Sequence, residues 1–153
     1  MFGVCLNSDV SISFSAMERL LEAERWMRQA LRDLNAAKNS VTSGSFEWAC
    51  FQAQQATEKA VKALIYGLGR GAWGHSVLEL LEGIRDVYGD VDAMLSCARE
   101  LDRHYIPSRY PNAYESGYPA LFYDEETARR AIKCAEAIVK WVREKLGKLG
   151  LEI

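Results

Sequence analysis

Every proline of the chain, at positions 107, 111 and 119, lies in one stretch, Tyr105 to Tyr123, which also holds five of the seven tyrosines. Proline fixes φ, removes a backbone donor and turns the preceding residue away from the α region. Long helices are therefore barred from this stretch and allowed on both sides of it. An irregular segment of this length inside a compact domain is either a working loop or a disordered one, and its aromatic content argues for order. Arg109 stands among Tyr105, Pro107, Tyr110 and Pro111, a setting in which a guanidinium lies against rings.

The flanks carry helical periodicity. Ser15-Ala-Met-Glu18 reads as a capping box and predicts a helix from Ala16 to Ser40. Its apolar stripe is Leu20, Ala23, Met27, Ala30, Leu31, Leu34, Ala37 and Val41. Thr42-Ser-Gly-Ser45 breaks it, and a second helix is expected over Phe46 to Tyr66, with Ala49, Ala53, Ala56, Ala60 and Leu64 inward. Glycines at 67, 69, 71 and 74 form a connector. Ser76-Val-Leu-Glu79 is another capping box, opening a third helix that Gly89-Asp90 interrupts. Asp124 caps a last helix over Glu125 to Leu146, whose stripe runs from Ala128 through Ala131, Ile132, Ala135, Val139 and Val142. The expected fold is all-α, an antiparallel four- to five-helix up-and-down bundle. Residues 1–15 read as a flexible or short extended N-terminal arm and residues 16–150 as the bundle.

Bulk properties exclude several classes. A net charge of −2 gives no global pull toward nucleic acid or membrane, so an anion site has to be local. Cys5, Cys50, Cys97 and Cys134 are far apart, which fits neither a zinc site nor a disulfide framework, and reads as reduced thiols in a cytoplasmic protein. Two histidines and no paired acid cluster argue against a metalloenzyme, and no cofactor is called for. No apolar run reaches membrane-spanning length, and Met1 to Ser15 lacks the pattern of a signal peptide.

Three sets of residues could carry chemistry. Trp48, Gln52, Gln55, Lys59, Lys62 and Tyr66 share one face of the second helix, where the two lysines suit a phosphate or a partner, or simply a solvated face. Arg99 and His104 are five apart, with Arg103 on the face of Arg99. Such a pair can cleave RNA without metal, the histidine moving protons and the arginine stabilising the phosphorane, or it can be a helix-end histidine beside surface arginines. His75 reads as a loop or cap residue.

Phe51-Gln-Ala-Gln-Gln-Ala-Thr-Glu-Lys-Ala-Val-Lys-Ala-Leu64 resembles the second-helix signature of HEPN domains (higher eukaryotes and prokaryotes nucleotide-binding). The resemblance extends to Trp26–Ala37, to His75 before a leucine-rich helix, and to Leu101-Asp-Arg-His-Tyr-Ile-Pro-Ser-Arg-Tyr-Pro-Asn112, and covers about Glu18 to Leu146. It implies a helical bundle, a homodimer, and often a minimal nucleotidyltransferase as partner in a two-component or toxin–antitoxin-like pair. Many such domains are metal-independent RNases with Arg-x4-6-His, a spacing that Arg99 and His104 satisfy. The resulting expectation is a binder of nucleotide or RNA phosphate through Lys59, Lys62, Arg103 and Arg109, with Tyr110 stacking a base. The alternatives are an RNase toxin using Arg99 and His104, and a non-catalytic interaction module.

Overall fold

The computed structural model describes the backbone of residues 5–153 and the side chains from Ser15 onward. Helix α1 spans Cys5–Thr42 and α2 spans Phe46–Gly67. α3 (Val77–Glu82), a 3₁₀ turn (Gly89–Met94) and α4 (Leu95–Asp102) form the interrupted third rod. A second 3₁₀ turn (Pro111–Ala113) and one helical turn, α5 (Pro119–Phe122), lie in the proline stretch, and α6 (Glu125–Leu149) closes the chain. No strand occurs among the described residues, so the all-α bundle stands.

α2 is the central rod, packed between α1 and α6. Its alanines 49, 53, 56 and 60 are fully buried, and small side chains on this stripe let both neighbours approach closely. Ala23, Met27, Ala30 and Leu34 of α1 and Ala131, Ala135, Ile138 and Val142 of α6 complete the main core. Val77, Leu81, Val91, Leu95 and Leu101 cover its end.

The expected caps at α3 and α6 are in place. Ser76 Oγ accepts from Glu79 N at 3.1 Å, and Asp124 Oδ1 accepts from Thr127 N at 2.8 Å. Gly150 ends α6 with φ of 105°, a left-handed conformation open to glycine at little cost.

Two expectations are corrected. The first helix does not begin at Ala16: it continues back to Cys5 through the segment read as an arm. Ser15 is inside it, and its hydroxyl accepts from Arg19 Nη2 one turn on, at 3.3 Å, instead of capping. The cysteines are not all reduced, since Cys97 of α4 and Cys134 of α6 form a disulfide with Cα atoms 4.9 Å apart. Cys50 is a free, buried thiol whose pKa burial pushes up to about 12, with Glu100 adding to the effect, so it is unreactive.

Candidate functional site

Helical spacing sets Trp48, Phe51, Gln55, Glu58, Lys62 and Tyr66 along one side of α2. Two clusters form against that side. The first is built on Arg109. Its Cζ lies 4.2 Å from the Phe51 ring centroid, 4.7 Å from Tyr105 and 5.0 Å from Tyr110. Its Nε donates to the Tyr105 carbonyl at 2.8 Å, a contact one helical turn in length. The terminal Nη1 and Nη2 have no hydrogen-bond or ion-pair partner among the described residues. The segment is stapled by its own bonds: Ser108 Oγ donates to the His104 carbonyl, and the Tyr114 hydroxyl donates to the Pro107 carbonyl at 2.8 Å. Trp48, edge-on to Phe51 at 6.0 Å, and Tyr110 stay about half exposed at its rim.

The second cluster is centred on Glu58, whose side chain is 4% exposed. Its carboxylate meets His75 Nδ1 at 2.8 Å, accepts from Gln55 Nε2 at 3.0 Å and faces Lys62 Nζ at 3.5 Å. Lys62 is itself nearly buried and lies 5.8 Å from the Trp26 ring, which packs on Tyr66. The His75 ring stacks on Tyr105 at 5.0 Å, so one tyrosine is shared by His75 and Arg109. Behind them, Asp102 accepts from Ser76 Oγ and from the backbone N–H groups of Val77 and Leu78 at 2.8, 2.9 and 3.0 Å. It thereby serves the open end of α3 from another element. Buried Gln54 donates to the His75 carbonyl at 2.8 Å and fixes the connector.

The residues anticipated from sequence divide into groups. Arg109 and Tyr110 are brought together. Lys59 is paired with Asp33 of α1, Lys62 with Glu58, and exposed Arg103 with Glu100 at 3.1 Å. Arg99 is exposed, while His104 is 6% exposed, and no hydrogen bond or ion pair joins them among the described residues. His104 Nδ1 and the Tyr123 hydroxyl are hydrogen bonded at 2.9 Å, and Nε2 is buried without a partner, 3.6 Å from Glu100 Oε1. Burial lowers the His104 pKa below its ordinary 6.5, outweighing the opposing pull of Glu100. Burial also acts to raise Glu100, but Arg130, bonded to it at 3.0 Å, keeps that carboxyl below its ordinary value. Sequence reasoning missed Glu58, Asp102 and the exposed face of His75. No group of three or more potential metal ligands gathers among the described residues, and none of their helices is long and apolar enough to cross a membrane.

Comparison with known proteins gives consistent relatives. The family model described as HEPN domain matches residues 23–145. The crystal structure of TT1696 from Thermus thermophilus superposes with a TM-score of 0.75 at 41% identity, covering 81% of this chain and 98% of that one. Human sacsin is 25% identical over 134 residues, which are 83% of this chain but 3% of sacsin. The Methanocaldococcus jannaschii protein named "Putative toxin MJ1304" is 26% identical over 142 residues, 85% of this chain and 92% of its own length.

Proposed function

The chain belongs to the HEPN domain family, and from that footing we propose that it binds a nucleotide or an RNA phosphate at Arg109. One observation carries the reading: a guanidinium held against three rings, with both terminal nitrogens open. Those two nitrogens can grip a phosphate through parallel charge-assisted bonds, and the half-exposed Tyr110 and Trp48 offer flat faces to a base. The lysines of α2 belong to this site less directly, because each already has a carboxylate partner. The RNase alternative draws no support from His104, which is buried against Tyr123. Arg109→Ala is expected to weaken binding by about 1–3 kcal/mol, measured by calorimetry with ATP, GTP and a short RNA. Undiminished binding would make the arginine a structural staple.

The setting we propose is cytoplasmic, with a minimal nucleotidyltransferase as partner in a toxin–antitoxin-like pair. The toxin name of a relative that matches along most of both chains supports the toxin–antitoxin part of that reading. The protein is further proposed to act as a homodimer. Tyr118, Leu121 and Phe122 stand more than half exposed around α5, an apolar patch suited to self-association. Sedimentation at micromolar concentration is expected to give twice the chain mass, and a monomer there would refute the dimer.

A further inference from the structure

We propose that His75 is a second, proton-linked ligand contact of the Arg109 site, and that the two together select a nucleotide with a terminal phosphate over an internal phosphodiester. The inference rests on the Arg109 reading and adds to it the charge of the ligand.

The argument begins with the cations. Lys59, Lys62 and Arg103 each face a carboxylate, so Arg109 is the site cation with open donors among the described residues. One guanidinium balances the single charge of an internal diester. A terminal phosphate or polyphosphate carries more charge and calls for another cation. His75 is placed to supply it. Its side chain is 60% exposed, its Nδ1 is held by the buried Glu58 carboxylate, and its Nε2 has no partner among the described residues. It lies against the same Tyr105 ring as Arg109, at 5.0 and 4.7 Å. With a carboxylate at Nδ1 and an anion at Nε2, both ring nitrogens have to donate, which is the hydrogen count of the imidazolium. The same carboxylate fixes the ring's orientation, the arrangement by which an acid aims a histidine in catalytic triads.

The other charged or titratable groups around His75 are accounted for. Lys62 Nζ lies 3.5 Å from Glu58 Oε1, the same oxygen that His75 Nδ1 meets at 2.8 Å, so the two share that acceptor and Lys62 leaves Nε2 untouched. Tyr105 stacks on the ring. Asp102 is taken up by Ser76, Val77 and Leu78 next to it. None of them occupies Nε2.

The test is calorimetric titration of adenosine 5′-diphosphate into the full chain, at one pH, in buffers that differ in ionisation heat. The parent should take up protons on binding, seen as a heat that changes with the buffer. His75→Gln should lose that dependence and bind about tenfold more weakly. A dinucleotide whose only phosphate is the internal diester should bind more weakly than the diphosphate, without proton uptake. A parent heat that is independent of buffer, or equal proton uptake by His75→Gln, overturns the proposal while leaving Arg109 standing if Arg109→Ala still weakens binding. Equal affinity for the dinucleotide overturns the ligand class. Failure of the parent to bind either ligand removes the Arg109 reading and this one together. The buffer dependence of the parent needs no variant, so the outcome stands even if His75→Gln misfolds.

Discussion

Glu58→Ala is expected to destabilise the fold by about 3–5 kcal/mol, the usual cost of removing one partner of a buried ion pair. Glu58 is the acid that faces nearly buried Lys62, and it also holds His75 and Gln55. Without it, an ammonium packed against Trp26 faces no negative charge, His75 Nδ1 loses its partner, and Gln55 Nε2 keeps only Gln54 Oε1. Urea unfolding followed by circular dichroism measures the loss. Replacing both members, Glu58→Leu with Lys62→Met, should recover most of it, since an apolar pair of similar volume leaves no orphan charge. A single-variant loss below about 1 kcal/mol would mean that Lys62 swings out to water, and the buried-pair account would fail.

Asp102→Ala is expected to cost about 2–4 kcal/mol, because one carboxylate serves Ser76 and two backbone N–H groups at the start of α3. Asp102→Asn keeps an acceptor without the charge and should cost about half as much. Hydrogen exchange localises the effect: the Val77 and Leu78 amides should lose protection while those of α6 keep theirs. Unchanged protection at both amides would show that water replaces the carboxylate freely.

How much of this was legible in the sequence depended on the range of the interaction. α6 was readable because each determinant is local: Asp124 before it, a stripe of period three and four along it, and a glycine after it. Arg109 against rings was readable for the same reason, since Tyr105 and Tyr110 are within a turn of it. Ser15 misled because its four-residue pattern fits a helix start and a helix interior equally well, and a serine inside can bond one turn on. The Cys97–Cys134 bond joins two helices 37 positions apart, and no periodicity relates them. Glu58 and His75 are separated by the glycine-rich connector, whose path decides which side of α2 the histidine reaches. Nothing local marks Glu58 as buried, because charge is usually exposed, and only the tertiary packing of Lys62 and His75 against it makes it an interior acid.

The rings around Arg109 have a consequence for how tightly anything can be held there. A free arginine side chain carries about 2 kcal/mol of rotamer entropy, and a receptor that binds with a loose one must freeze it on association. Phe51, Tyr105 and Tyr110, with the bond from Nε to the Tyr105 carbonyl, impose that order from within the fold. On the proposed reading, the cost of immobilising the cation is met during folding, so affinity at this guanidinium is set partly by Phe51 and Tyr105, which hold it from behind.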